Sequence, residues 1–236
     1  MFQGFSQQTV DFMWGIRFNN DRTWFQAHKE EYQEHLYQPM KELCAQVFAV
    51  IKDEYPQYGL KSKVSRIYRD ARRLHGNGPY KDHLWFSMER PYDGDFSAQP
   101  VFWFELAPES WSYGLGYYAA RALTMQKHRA RIDRDPKPLL ALAKRLADQK
   151  DFVLDGPSYA KAKPCGVPAL AEWYNKKSFS LICEQAPLGE EIYRPELADR
   201  LLEGYRFLMP FYDYFSTLDS DGAEPAVPQD KAEKGT

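Results

Sequence analysis

Between residues 21 and 55 the apolar positions Phe25, Tyr32, Leu36, Met40, Leu43, Val47 and Ile51 recur at steps of three, four and seven, the spacing of one helix face. Pro39 falls inside that stripe and predicts either a kink in one helix or a boundary between two. A shorter helix precedes it, with Ser6 as N-cap and Val10, Met13 and Trp14 at helical spacing, until Asn19 and Asn20 break the pattern. From about residue 62 the period changes. The segments "KVSRIYRD", "HLWFSMER", "PVFWFELAP" and "SWSYGLGYY" are short, aromatic and β-branched, and divided by Gly, Pro and Asp turns, which predicts consecutive antiparallel strands.

Helical spacing returns in "ARALTMQKHRARIDRD" and "PKPLLALAKRLAD", divided near Pro136, and again in "PALAEWYNKK" and "RPELADRLLEGYRFLMPFYDYFSTL", with a further strand at "SFSLICEQ". Helices and strands are therefore segregated along the chain. The predicted class is α+β, a mainly antiparallel sheet packed against several helices. The pattern predicts a single domain over residues 1–218. The remaining residues, 219–236, read "DSDGAEPAVPQDKAEKGT", acidic and without large apolar side chains, and are expected to form a disordered tail.

Composition narrows the function classes. No run reaches the roughly 18 uninterrupted apolar residues that a membrane span needs. The N-terminus lacks the basic start and apolar stretch of a secretion signal, so the chain reads as soluble and cytoplasmic. Cys44, Cys165 and Cys183 form no close pair, which favours neither a disulfide framework nor a Cys-based zinc site. Net charge is only −2, against a generally basic nucleic-acid coat. The charge is concentrated, however. Residues 61–81 carry Lys61, Lys63, Arg66, Arg69, Arg72, Arg73 and Lys81 against the single acid Asp70, a local balance of +6 that leaves −8 for the rest of the chain.

If residues 63–70 form a strand, Arg66, Tyr68 and Asp70 face one way and Ser65, Ile67 and Arg69 the other. Arg66 and Asp70 then lie roughly 13 Å apart, too far to pair, so Asp70 needs Arg72, Arg73 or a group across the sheet as partner. Arginine presents a planar fork to carboxylate or phosphate, and the turn "HGNGP" can direct several backbone N–H groups into one concavity. Lys81, Tyr80 and His83 follow and could add a point charge, a phenol and a titratable ring.

Several of these segments together resemble the bacterial family called domain of unknown function 2461, over about residues 5–217. "NNDRTWFQAHKEEY" matches the family's early signature through Asn19, Asn20, Arg22, Trp24, Phe25, His28 and Lys29. "RIYRDARRLHGNGPYKDH" matches the central one through Arg66, Tyr68, Arg69, Asp70, Arg72, Pro79, Tyr80, Lys81 and His83. Weaker echoes follow in "YGLGYY", Arg129, the "PCG" turn and "KKSF". Leu74, His75, Gly76 and Asn77 replace a Ser-Lys-Asp-Lys-like loop, and Cys165 stands where the family usually has lysine. The resemblance implies an α+β architecture but no activity, substrate or cofactor.

Other constellations carry less. His28, Glu31 and His35 could share a helix face and begin a metal site, but no HExxH or Cys-His spacing accompanies them, so no metal is expected. The glycines at 114 and 116 lack the third glycine and βαβ context of a dinucleotide fingerprint. The six tryptophans read as core and pocket wall rather than as a platform for bases. Three readings remain. In the first, Arg66, Arg69, Arg72 and Lys81 hold a small phosphate- or carboxylate-bearing ligand. Asp70, Tyr80, His83 and Glu105 would then be the acids or bases of a metal-independent hydrolytic or transfer reaction. In the second, the arginines are internal ion pairs of an interaction or structural module. Nucleic-acid binding, the third, is disfavoured by the overall charge. No cofactor is implied, and the sequence does not fix an oligomeric state.

Overall fold

A computed structural model of the chain describes residues 1–70, 72, 74, 78–91 and 99–222. Helix α1 (Gln7–Phe18) starts on a capping box in which Ser6 and Thr9 satisfy each other's backbone N–H groups. It stops at Asn19, and Asp21 caps α2 (Arg22–Ala27) by accepting from the Trp24 N–H at 2.9 Å. The chain continues through a short turn, α3 (Lys29–Glu31), a π-helical turn (Tyr32–Tyr37) and α4 (Gln38–Glu54).

The π turn answers the question that Pro39 raised. Proline has no N–H and its ring crowds the carbonyl four residues earlier, here that of His35. The helix widens there, and the freed His35 carbonyl accepts instead from the buried Thr9 hydroxyl at 2.5 Å. The π turn thus stands between α3 and α4, just before the proline. The predicted stripe holds, with Phe25, Tyr32, Leu36, Met40, Leu43, Val47 and Ile51 all buried.

Six strands form one antiparallel sheet: β1 (Lys61–Val64), β2 (Leu84–Glu89), β3 (Val101–Leu106), β4 (Trp111–Gly116), β5 (Val153–Asp155) and β6 (Ser180–Gln185), in spatial order β1-β2-β3-β4-β6-β5. The fold is thus α+β, and β5, three residues long, is too short to have shown a period in the sequence. One sheet face carries Leu84, Phe86, Met88, Phe102, Phe104, Leu106, Tyr113, Leu115 and Leu181, all buried. Helix α4 lies against β1 and β2, and α8 (Leu197–Ser216) against β4. The rings of Tyr205 and Tyr212 in α8 meet Phe102 at 5.5 and 5.0 Å. Gly204 permits this approach, because a Cβ there would fall 2.4 Å from the Tyr113 ring. Each such buried aromatic stabilises the fold by about 1.5–3 kcal/mol through the area removed from water.

Helices α5 (Ala122–Arg134), α6 (Lys137–Ala147) and α7 (Ala171–Asn175) complete the helical layer. Arg131 pairs with Asp221 at 2.6 Å, and Lys127 donates to the Asp219 carbonyl, so the first residues assigned to the acidic tail are tied to α5. Residues 223–236 lie outside the described part of the chain. Among the described residues no helix is long and apolar enough to cross a membrane.

Candidate functional site

The sheet face opposite the helices is only partly covered. Across the strands it carries two rows, Lys63, Ser87, Trp103, Gly114 and Ile182 in one and Trp85, Glu105, Ser112 and Glu184 in the next. Trp85, Trp103 and Glu105 are half-buried, and Lys63 is exposed. Trp103 rests on Gly114, where a Cβ would come within 2.8 Å of its ring. The result is a flat aromatic floor with polar groups beside it.

The basic segment forms one end of this floor. Strand β1 stops at Val64, where the Ser65 hydroxyl, rather than a carbonyl, accepts from the Trp85 N–H at 3.1 Å. Pairing resumes with an isolated bridge between Tyr68 and Tyr80. From the Val64–Phe86 pair to the Tyr68–Tyr80 pair, one strand advances four residues and the other six, so two extra residues are bulged out between Lys81 and Trp85. Bulges of this kind re-aim side chains and recur beside functional sites.

That bulge explains Asp82 and His83. Neighbours in a regular strand point to opposite faces, but here His83 Nδ1 lies 2.9 Å from Asp82 Oδ1. Arg17 at the end of α1 donates its Nε to Asp82 Oδ2 at 2.5 Å, bonds Glu109 through Nη1, and lies over the Trp14 ring. The His83 hydrogen bond first, and the Arg17 guanidinium after it, hold the Asp82 carboxyl well below the usual carboxylate range. An ionised Asp82 favours the tautomer with Nδ1–H, leaving Nε2 as an acceptor.

Lys81 is the centre of the charge. Its Nζ donates to the Arg66 carbonyl at 2.6 Å and stands 5.7 Å from the Trp85 ring centroid. Burial lowers the Lys81 pKa, the Arg69 charge lowers it further, and Glu105 opposes both. Arg69 spends its Nε on the Tyr80 carbonyl at 2.8 Å. Arg66 is exposed, and its side chain has no ion-pair partner among the described residues.

The other sequence-derived candidates lie differently. Asp70 accepts from the Arg72 backbone and side chain at 2.8–3.0 Å, an exposed local pair that closes a turn, so the two residues bind each other across one intervening position. Tyr80 is buried with its ring stacked on Phe25 at 4.2 Å, and Asn20 grips its backbone through two hydrogen bonds. Its environment is that of a core residue. Arg73 and residues 75–77 of the Gly-Asn turn lie outside the described residues. Lys81 and Glu105 therefore meet at the floor beside Trp85, with the Arg66 and Arg69 charges acting on Lys81, His83 sits on the adjoining bulge, and Asp70, Arg72 and Tyr80 are engaged elsewhere.

Sequence reasoning passed over Asp82. The only signal was its adjacency to His83, which a regular strand would have made meaningless. The His28, Glu31 and His35 constellation does not assemble. His28 stacks on Trp24 at 3.9 Å with Nδ1 donating to the Trp24 carbonyl, and no group of three metal-ligating side chains occurs among the described residues.

Among the described residues, open hollows also occur outside the two rows, one of about 540 Å³ beside Phe48 and Leu60 and another of about 380 Å³ beside Trp14 and Leu188. Neither collects convergent charge, whereas the floor does, and charge with a titratable group is the better guide to chemistry. No curated protein matches the chain. A family model described as "Conserved hypothetical protein (DUF2461)" matches residues 8–214, nearly the whole described fold, a span that includes both of the quoted segments. The chain belongs to that family.

Proposed function

We propose that the open sheet face binds a small anionic ligand, its phosphate or carboxylate held by Lys81 with Arg66, Arg69 and Lys63, and its body lying over Trp85 and Trp103. The observation that carries this reading is the unbalanced charge around Lys81. Its ammonium and the Arg69 guanidinium are held by backbone carbonyls, not by carboxylates, which speaks against the arginines being internal ion pairs. Glu105 acts on the Lys81 charge against the three cations Arg69, Arg66 and Lys63. An anion placed there would restore the balance. A reaction at this face would use His83 Nε2 as base, oriented by Asp82, on a cytoplasmic substrate in a hydrolytic or transfer step.

Thermal unfolding with inorganic phosphate, pyrophosphate, sugar phosphates and sugar acids tests the reading. A ligand at about 100 times its dissociation constant adds roughly 2.7 kcal/mol, which for a chain of this size raises Tm by about 5–10 °C. Lys81→Gln and Trp85→Leu are each expected to weaken that ligand at least about tenfold while leaving the unliganded Tm within a few degrees. Equal responses in parent and both variants would overturn the assignment.

A further inference from the structure

At the opposite edge of the sheet, roughly 24 Å away at ordinary strand spacing, three cations converge on one ring. Tyr159 lies in the segment between β5 and α7, half-buried. The Lys163 ammonium stands 5.1 Å from its centroid, the Arg129 guanidinium 5.4 Å and the Lys177 ammonium 5.8 Å. A ring has two faces, so at least two of these three cations share one. Like charges on one face repel, and a ring quadrupole compensates them only weakly.

The arrangement is built into the backbone. Tyr159 N–H donates to the Asn175 carbonyl at 2.9 Å, Lys177 N–H to the Pro157 carbonyl at 2.7 Å, and the Asn175 side chain clasps the Lys163 backbone through two bonds of 2.7 and 3.2 Å. The cations come from α5, from this loop and from the end of α7, so the fold itself brings them together. Nearby acids are spent elsewhere. Asp133, one turn beyond Arg129, accepts from the Tyr174 hydroxyl at 3.0 Å, and Glu172 pairs with Lys176 at 3.4 Å. None of Arg129, Lys163 and Lys177 has an ion-pair acid among the described residues. Arg129 Nη1 is in addition buried without any hydrogen-bond acceptor among them. A buried guanidinium N–H left unmatched is costly, and it marks where an acceptor belongs.

We infer that this cluster is a second anion site, in which the phosphoryl group of a small molecule sits between the Arg129 guanidinium and the Lys163 and Lys177 ammoniums beside Tyr159. A planar fork with two point charges suits a tetrahedral dianion better than a single carboxylate. The site stands independently of the proposed ligand on the open sheet face.

Calorimetric titration of the full chain with pyrophosphate, at ionic strength held constant with chloride, tests it. The measurement is made in the Lys81→Gln background so that the first face does not contribute. Pyrophosphate binding is expected to persist there and to weaken at least tenfold on adding Arg129→Gln. The Lys163→Gln/Lys177→Gln pair, both at exposed positions, gives the same loss with an unaltered circular dichroism spectrum. Absence of pyrophosphate binding in the Lys81→Gln background overturns the inference, as does equal affinity with and without the second-site changes. Binding of a single-stranded oligonucleotide without binding of pyrophosphate also overturns it, in favour of a polymeric partner.

Discussion

Gly114→Ala is expected to destabilise the protein by about 3 kcal/mol, although glycine to alanine in a strand with room for the methyl stabilises by roughly 0.4–1 kcal/mol through the unfolded chain. The added Cβ would fall 2.0 Å from the Leu181 carbonyl oxygen and 2.8 Å from the Trp103 ring. The first obstacle is backbone in the neighbouring strand β6, so no rotamer change relieves it. β4 and β6 must separate along a ladder that runs from Trp111 to Gly116. Overpacking of this kind costs about 1–3 kcal/mol before any ladder bond is lost. Gly166 provides the comparison, because a Cβ there meets nothing within 4 Å, and Gly166→Ala should change stability by no more than about 0.5 kcal/mol. Urea unfolding of the two variants decides the matter. If Gly114→Ala unfolds at the same midpoint as Gly166→Ala, the close contact with β6 is not real. Because Trp103 lies on Gly114, the same variant should also lose the stabilisation given by ligands of the open face.

The difference between those two glycines shows where the sequence was legible and where it was not. The helix stripe from Phe25 to Ile51 could be read directly, because a 3.6-residue period depends on one segment alone, and so could the alternation in β2, β3 and β4. Strand neighbours could not. Gly114 looks like any glycine until β6, whose Ile182 pairs with it from 68 residues further along the chain, is laid beside it. The candidate site follows the same division. Charge concentration singled out residues 61–81, and within them Lys81 stands at the Trp85 ring with the Arg66 and Arg69 charges acting on it. Pairing of Asp82 with His83 depends on a two-residue bulge that only the opposing strand defines. The cluster at Tyr159 draws on α5, a loop and the end of α7, so no window of the sequence contains it.

Acidification from pH 7 to 4.5 should weaken the fold by about 2.7 kcal/mol through His128, which is fully buried in α5. Its ring packs among Phe179, Phe215 and Tyr214 at 5.3–6.4 Å, and neither nitrogen has a hydrogen-bond partner among the described residues. Burial pushes its pKa down to about 3; the Arg129 and Arg131 charges act the same way, and the nearby Trp173 backbone opposes them without reaching ordinary hydrogen-bond geometry. The unfolded chain therefore takes up this proton first. Stability from the neutral ring is complete above the unfolded value of about 6.5 and declines by roughly 1.4 kcal/mol per pH unit as the pH falls toward the folded value. Asp82 does not enter this window. Its depressed pKa gives stability that is present above the ordinary carboxylate range and is lost only at lower pH. Asp213, raised by burial, acts in the opposite sense and trims the slope. His128→Leu isolates the effect. It removes two unsatisfied buried nitrogens at similar volume, so at pH 7 it should be no less stable than the parent by more than about 1 kcal/mol, and its stability should stay nearly flat down to pH 4.5. Urea midpoints at the two pH values read both quantities. A parent that is equally stable at pH 7 and 4.5, or a His128→Leu variant that keeps the parent's slope, would remove His128 as the source of acid sensitivity.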